Sequence, residues 1–448
     1  MNKELRQAQL VTDFTDQDQI LGVFGNTVGR TTMKDLKEGI IKNNDLYLNQ
    51  VAFYIDVNEP ASTPLKVNVG GNREMFNLWV REWKAGVMDQ TGNFAELSRE
   101  DNRYFADGSP AVDPVTGSAV AALANANFMG KIPRTGCYIQ TVEIAGKTIQ
   151  RLWLSLLDLP GWTEPAQYVG MFKGWVDGSG RLRSVPNVVP TRSKTVKQFW
   201  DSAQLYGKSY GLAGVHFRNM LLWYMMAAYG QRGSQECELA DATKVWGPGL
   251  DGTGSAVATN QYTIVTGQTL SLGTADGKSS VLDSAGATCN SVKVLSFENP
   301  WGQFWEFDGH MCSINNDVVV WRDNFMPATS APTMADFEKI KTFVAHRHSA
   351  AISNTATTAH KMNLIAMGEQ AAFMFPYAVQ AGVSYNDYFY YNIAGQVWLW
   401  GGNAENGAQC GLACSDSYYA WTISDSRLGA RLAYFGDVNE ISGGDMLA

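Results

Sequence analysis

The pattern of apolar and polar residues along the chain predicts a few helices among many short strands. The clearest helix covers residues 214–229, where apolar side chains recur at three-to-four spacing. Gly230 follows this run as a natural stop. A second helix is predicted over residues 195–206 and a third helical run over residues 335–344. These helices are separated by long stretches in which helical spacing is absent.

Alternation of apolar and polar residues predicts a strand over residues 46–57. Residues 75–88 suit either an amphipathic helix or a bent strand. Shorter apolar segments bounded by turn residues predict further strands at 128–132, 138–144, 148–156, 168–176, 293–297, 303–307 and 318–322. The fold class expected from this order is α+β.

Composition narrows the class of protein. Hydrophobic residues make up 45% of the chain and charged residues 17%, which excludes a disordered protein. The formal net charge of −8 and the pI near 5.3 argue against a protein that mainly binds nucleic acid, and we expect no such partner. The polar first residues do not resemble a signal peptide, and the longest apolar run, 220–228, is too short to cross a bilayer. We therefore expect a protein made in a cytoplasm and not inserted in a membrane.

Six cysteines in 448 residues do not predict a disulfide framework. Cys410 and Cys414 are four residues apart, but no second pair or nearby histidine completes a zinc site. His346 and His348 offer half of a metal site, and the alternative is a histidine-bearing end of the helix predicted at 335–344. We predict no metal and no cofactor.

The last part of the chain carries a specific pattern. Residues 397–403 read VWLWGGN, a polar and aromatic stretch follows, and residues 429–435 close with GARLAYF. This pattern resembles the C-terminal region of tailed-bacteriophage receptor-binding proteins with a C-type-lectin-like fold. Variable proteins of diversity-generating retroelements and formylglycine-generating enzymes share that scaffold.

Upstream segments resemble the same family of phage structural proteins in the same order. They are MGKIPRTGCY at 129–138, YVGMFKGWVDGSGRLRS at 168–184, YGLAGVHFRNMLLWYMMAAYGQRGSQ at 210–235 and FENPWGQFWEFDG at 297–309. The resemblance covers about residues 70–448. It implies a β-rich scaffold at 69–190 and a C-type-lectin-like domain at 191–448. Residues 1–68 lie outside the resemblance, and we assign them to a small β-rich attachment or oligomerisation region.

The resemblance also implies a function. It predicts a virion protein on the tail or capsid surface, such as a tail fiber or head fiber, that is made in the host cytoplasm and assembles as a homo-oligomer, with a trimer favoured. The N-terminal region would bind other virion proteins, and the lectin-like domain would bind a host cell-surface glycan or protein. The alternative is a purely structural protein that decorates the capsid or tail.

The segment between Gly402 and Leu428 holds the candidate binding residues. Tyrosine and tryptophan supply rigid contact area, while small polar groups adapt their hydrogen bonds, so the mixture is typical of a recognition surface. The alternative is an ordinary solvated loop whose aromatic rings fold into the core. The candidate ligand-binding residues are Asn403, Glu405, Asn406, Gln409, Ser415, Asp416, Tyr418, Tyr419 and Trp421.

No catalytic residue is predicted, and we do not expect an enzyme. A formylglycine-generating oxidase uses a cysteine pair, but the order CGLAC at 410–414 departs from that enzyme's G-G-S-x-x-C pattern. A glycosidase needs two carboxylates paired in a cleft. Glu298, Glu306 and Asp308 are available, but the resemblance implies structural roles for them.

Overall fold

The protein has an α+β fold, as predicted, with many strands and few helices. The architecture below comes from a computed structural model. The structure describes residues 19–24, 27–32, 45–57, 67–231, 233–234, 256–315, 317–328, 331–340, 343–347, 352–353, 358–367, 371–381, 387, 389–391, 396–407 and 410–448.

Sequence signals at the helix ends match the structure. Thr195 caps its helix by a reciprocal capping box with Gln198, and the longest helix ends at Gly230, whose φ of 63° is in the left-handed region that glycine tolerates. The helices are α1 Asp45–Val51, α2 Arg73–Arg81, α3 Val196–Tyr206, α4 Val215–Tyr229, α5 Met334–Phe337 and α6 Gly443–Leu447. Short 3-10 helices lie at Ala121–Leu123, Ala256–Thr263 and Leu270–Leu272.

The strands are short and numerous. In the first part of the chain they are β1 Gln19–Phe24, β2 Thr27–Thr32, β3 Phe53–Asp56, β4 Val69–Gly71, β5 Lys84–Met88, β6 Asn93–Glu96, β7 Asn127–Ile132, β8 Thr135–Ile144, β9 Lys147–Ser155, β10 Trp162–Glu164, β11 Gln167–Gly170, β12 Trp175–Val176, β13 Leu182–Arg183 and β14 Tyr210–Leu212. Those that follow are β15 Gly277–Leu282, β16 Thr288–Val294, β17 Phe297–Glu298, β18 Trp305–Ile314, β19 Asp317–Trp321, β20 Phe343–Arg347, β21 Ile352–Ser353, β22 Thr358–Met367, β23 Ala371–Ala381, β24 Phe389–Tyr391, β25 Gln396–Gly401, β26 Gly411–Asp416, β27 Leu428–Gly429, β28 Leu432–Tyr434 and β29 Asn439–Ile441.

A seven-stranded sheet joins distant parts of the chain in the order β14-β28-β11-β7-β5-β6-β29. Strand β28 lies antiparallel between β14 and β11, and β29 adds parallel to the edge strand β6. The sheet therefore contains strands from both regions predicted at 69–190 and 191–448.

A second large sheet carries the candidate binding segment. Its order is β20-β19-β18-β25-β26-β24-β21, and β27 pairs parallel with β18. Smaller sheets are β10-β8-β9-β3-β4, β15-β16-β17, and the pairs β1-β2, β12-β13 and β22-β23. The strands flanking the candidate segment thus belong to one sheet.

Helix α4 occupies the centre of the core. Its side chains are buried almost all round, from Val215 to Ala227, which explains why a run rich in Met, Leu and Trp has no polar face. Three of the buried residues are polar or charged: His216, Arg218 and Asn219. Buried groups of this kind need partners, and Arg218 takes part in the ionic cluster described below.

Two predicted elements differ from the structure. The strand predicted at 46–57 is wrong in its first half, because α1 buries Leu48 and Val51 on one helical face before β3 begins at Phe53. The helix predicted at 335–344 is also wrong beyond Phe337, since β20 pairs antiparallel with β19. In both cases a short apolar run fitted either period, and strand pairing or tertiary packing decided between them.

A buried ionic cluster ties four segments together. Glu306 on β18 accepts from Lys173 Nζ at 2.6 Å, from Arg218 Nη2 at 2.8 Å and from Arg431 Nε at 3.0 Å. All four side chains are almost fully buried. Burial alone would raise the pKa of Glu306, but Arg218, Arg431 and Lys173 outweigh it and hold that pKa well below its ordinary value. Glu306 is therefore a carboxylate surrounded by three cations.

Backbone carbonyl oxygens satisfy the remaining donors of the cluster. Arg431 Nη1 donates to the carbonyls of Gly170 and Met171 at 3.0 and 2.9 Å, and its Nη2 donates to Glu298 O at 2.9 Å. Lys173 Nζ also donates to Phe304 O at 3.0 Å. These bonds disperse the excess positive charge over the polypeptide backbone.

Replacing Glu306 by Gln is expected to destabilise the protein by about 3–5 kcal/mol, because three cations then remain buried without their carboxylate. The free energy of unfolding in urea measures the loss. Asp201→Asn is the control, since it breaks only the exposed Lys197–Asp201 pair and should cost less than about 1 kcal/mol. Equal stabilities for the two variants would contradict the role given to the cluster.

Candidate binding surface

Two glycines direct the chain from β25 into the candidate segment. Gly401 and Gly402 have φ values of 87° and 76°, which other residues rarely adopt. A Cβ on Gly402 would lie 2.5 Å from Cys410 Sγ, so a side chain has no room there. These two glycines therefore allow a sharp turn after the tryptophan-rich strand.

The turn after Gly402 is held by its own hydrogen bonds. The backbone N–H of Asn403 donates to Asn406 Oδ1 at 2.8 Å, and the backbone N–H of Glu405 donates to Asn403 Oδ1 at 2.9 Å. Cys410 Sγ donates to Asn403 O at 3.1 Å. Asn403 is buried and acts as the centre of this turn, whereas Glu405 and Asn406 are half-buried.

Strand β26 buries the next two candidates and ends at a fixed turn. Ser415 is buried, and Asp416 is 9% exposed. The Asp416 carboxylate accepts the backbone N–H of Tyr418 at 2.6 Å, a bond typical of an aspartate that closes a turn. Tyr419 O accepts from the Val397 amide at 3.0 Å, which ties the turn to β25. The backbone that carries the two tyrosines is therefore anchored on both sides.

Three tyrosines meet at this turn. The rings of Tyr418 and Tyr419 lie edge to face with centroids 5.2 Å apart, and Tyr390 on β24 contacts Tyr418 in the same manner at 5.6 Å. Strand β24 pairs with β26 through Tyr390 and Asp416, which places the third ring beside the turn. Tyr418 is 56% exposed, while Tyr419 and Tyr390 are half-buried. We name Tyr390, Tyr418 and Tyr419 the tyrosine cluster.

Tryptophan 421 belongs to the core. It is 6% exposed and packs in the apolar cluster that includes Phe307 and Leu399. The structure thus divides the predicted binding residues into three groups. Tyr418 is exposed, Glu405, Asn406 and Tyr419 are half-buried, and Asn403, Ser415, Asp416 and Trp421 are buried; Gln409 lies outside the described residues.

Tyr390 was not among the residues singled out from the sequence. It lies in the tyrosine-rich run YNDYFYYN, before β25, and only the parallel pairing of β24 with β26 brings it to the turn. The density of tyrosines in that run was the signal available in the sequence. Its position beside Tyr418 depends on a long-range pairing that no local pattern specifies.

The carboxylates considered for hydrolysis make separate structural contacts. Glu298 accepts the backbone amides of Gly267 and Thr269 at 2.9 and 2.8 Å. Asp308 accepts the His310 amide at 2.6 Å and also the Trp400 indole N–H. Glu306 accepts from the three cations of its ionic cluster. Each of the three carboxylates is therefore occupied by structural hydrogen bonds.

The cysteines and histidines that were considered as metal ligands or reactive groups lie at separate places in the fold. Cys410 and Cys414 are buried thiols that form no disulfide, as are Cys137 and Cys312. His346 lies in β20 and not at a helix end as predicted, because β20 pairs with β19; His348 lies outside the described residues. Among the residues that the structure describes, no three His, Cys, Asp or Glu side chains lie together as a metal site would require.

Comparison with known proteins gives no assignment: no protein-family model matches the chain, and no curated protein matches it. Within the described part of the chain, none of the helices has the length and apolar character needed to span a bilayer.

Asp416 makes the stability of this turn dependent on pH. Burial raises the pKa of its carboxyl to about 6, although the hydrogen bond from the Tyr418 amide acts in the opposite direction. Between about pH 4 and pH 6, the Asp416 carboxyl therefore keeps its proton in the folded protein, whereas in the unfolded chain it has released it. This contribution to stability is present at low pH and is lost as the pH rises through about 6.

We expect Asp416→Asn to remove that loss, which is on the order of 3 kcal/mol between about pH 4 and pH 7. The free energy of unfolding in urea is measured for wild type and variant across this pH range. The two plots of unfolding free energy against pH should differ in slope. Asp425→Asn serves as the control: its hydrogen bonds to Arg427 lower the pKa of Asp425, so that carboxylate stays ionised throughout. Parallel pH profiles for wild type and Asp416→Asn would refute the prediction.

Proposed function

We propose that this protein is a virion-surface protein of a tailed bacteriophage whose C-terminal domain, of the C-type-lectin-like fold, binds a host cell-surface glycan or protein. The family resemblance of residues 397–435, and of the four upstream motifs in the same order, supports the proposal. The α+β architecture with many short strands is compatible with that fold. The binding is reversible and involves no chemical step.

The observation that carries the binding role is the tyrosine cluster. The Tyr418 side chain is 56% exposed. Binding a partner would remove this large aromatic surface from water, which favours association. The anchored turn beneath Tyr418 keeps the ring in place, so little conformational entropy is lost when a partner binds. Tyrosine also pairs an apolar face with a hydroxyl, which suits both sugar rings and protein surfaces.

Multiple copies strengthen such a contact. Three tyrosines form a small surface, and the affinity of one copy is therefore modest. In a homo-oligomer, with a trimer favoured, several copies on one particle raise the effective concentration of the second and third contacts. The N-terminal region at 1–68 is assigned to docking on other virion proteins.

Replacing Tyr418 and Tyr419 by Ser should weaken binding to host cells by at least about tenfold, because exposed aromatic residues dominate the energy of such surfaces. The measurement uses fluorescently labelled full-length protein on a panel of intact bacterial strains, with binding quantified per cell. Trp421 is left unchanged, since truncating a buried tryptophan costs about 3–5 kcal/mol of stability and would confuse unfolding with lost contact.

Tyr104→Ser provides the matched control, as it removes a tyrosine that is 38% exposed elsewhere in the chain. Circular dichroism confirms that each variant is folded. If the double variant still binds like wild type, the tyrosine cluster is not the binding surface. If wild type binds none of the strains even when multimerised, the adhesive role is abandoned in favour of a structural component of the capsid or tail.

A further inference from the structure

A lysine and an asparagine from distant parts of the chain meet in the core. Lys293 on β16 donates from Nζ to Oδ1 of Asn102 at 2.6 Å, although 191 residues separate the two in sequence. Both residues are 0% exposed. Nζ also donates to the backbone carbonyl oxygen of Thr269 at 3.2 Å. A fully buried lysine is normally paired with a carboxylate, but among the described residues both acceptors of this amine are neutral carbonyl oxygens.

The asparagine is held in one orientation. The backbone N–H of Asn102 donates to Leu270 O, and its side-chain Nδ2 donates to Ser98 O, both at 2.9 Å. The carboxamide oxygen therefore faces Lys293. Since the carbonyl bond adds about 1.2 Å, Cγ of Asn102 lies at most about 3.8 Å from Nζ. This separation is close to the roughly 3–3.5 Å from which a nucleophile attacks a carbonyl carbon.

The surroundings favour an uncharged amine at Lys293. Burial lowers the pKa of Lys293 to about 7. The carboxyl groups of Glu298, Asp101 and Asp276 act in the opposite direction but do not cancel the effect of burial. A neutral amine has two N–H donors, which match the two carbonyl acceptors, and it keeps a lone pair. A desolvated lysine of this kind is a nucleophile near pH 7.

A buried carboxyl group lies beside this amine. Glu298 on β17 is the direct cross-strand partner of Lys293, so the two side chains leave the sheet on the same face. The Glu298 oxygens accept three hydrogen bonds, from Gly267 and Thr269, and a carboxylate has about four acceptor sites, so one remains for a proton. Burial raises the pKa of Glu298 despite these bonds, which helps the carboxyl to take up a proton.

We propose that Lys293 and Asn102 join through an intramolecular isopeptide bond. Nζ attacks Cγ of Asn102, a C–N bond forms between them, and the bond from Cγ to Nδ2 breaks. One proton passes from Nζ to Nδ2, with Glu298 as its carrier, and Nδ2 leaves as ammonia. The step exchanges one amide for another and needs no oxidant, reductant or further reactant. It does not rest on the proposed adhesive function, because the tyrosine cluster takes no part in it.

Mass spectrometry of the purified full-length protein tests the proposal. The intact mass, measured in denaturant, should be lower than the mass of the sequence by one molecule of ammonia. Digestion with trypsin should release residues 100–103 joined to residues 279–322, because trypsin does not cut after an acylated Lys293. A protein with the full sequence mass and without this joined peptide overturns the proposal, whether or not any variant folds.

Lys293→Met removes the nucleophile and should restore the full mass of the chain. Lys197→Met is the matched control, since it removes a lysine that forms only an exposed ion pair, and it should keep the loss of ammonia. The comparison also separates the isopeptide bond from cyclisation of an asparagine to a succinimide, which releases ammonia without Lys293. If Lys293→Met still lacks one ammonia, the proposal is overturned.

The role of Glu298 is tested by the rate of bond formation, followed by intact mass during cell-free synthesis. Glu298→Gln keeps the size but cannot carry the proton, and it should slow the step by about 100-fold. Glu298→Asp keeps a carboxyl and should form the bond faster than Glu298→Gln, although its side chain is shorter. A purely structural role predicts the opposite order, because Gln fits the space better, and that order would exclude Glu298 as the proton carrier.

Discussion

The contact between Glu306 and three buried cations is the constraint on which the other features depend. A charge taken out of water is tolerated only when its partners are in place, and the loss of one partner is costly. Glu306, Lys173, Arg218 and Arg431 come from four separate stretches of the chain, and the backbone carbonyls of Gly170, Met171, Glu298 and Phe304 complete their bonding. The arrangement is therefore satisfied only when all these segments are in register, which makes the cluster a determinant of tertiary specificity.

The same strand that carries Glu306 also supports the candidate binding surface. Glu306 is the cross-strand partner of Trp400, and Trp400 is in turn the partner of Ser415. This row crosses three strands and ends three residues before Tyr418. Two backbone pairings thus connect the strand that leads to the tyrosine cluster with the buried ionic cluster. Tyr418 is therefore positioned by this row of strands as well as by its own contacts with Asp416, Tyr390 and Tyr419.

Local patterns predicted the two longest helices, α3 and α4, best. The spacing of apolar residues in α4, the stop at Gly230 and the cap at Thr195 are properties of neighbouring residues, and all three appear in the structure. Many short strands were also predicted, although their ends shifted. The segments at 46–57 and 335–344 failed because a few apolar residues satisfy two periods at once, and only the pairing of β20 with β19 or the packing of Leu48 decides.

The binding segment was predictable as a composition but not as a surface. Tyr418 and Trp421 have the same character in the sequence, yet one ring is exposed and the other lies in the core. Burial of this kind is decided by the sheet beneath the segment, which is assembled from strands far apart in the chain.

The late strands β28 and β29 have a consequence for synthesis on the ribosome. Strand β28 fills the gap between β11 and β14, and β29 covers the edge of β6, so a sheet begun at residue 84 has unpaired edges at β11 and β6 until β28 and β29 are made. Arg431, the last cation of the ionic cluster, arrives at the same stage. The nascent chain must therefore hold exposed strand edges through most of translation, and a prematurely terminated product is left with them permanently.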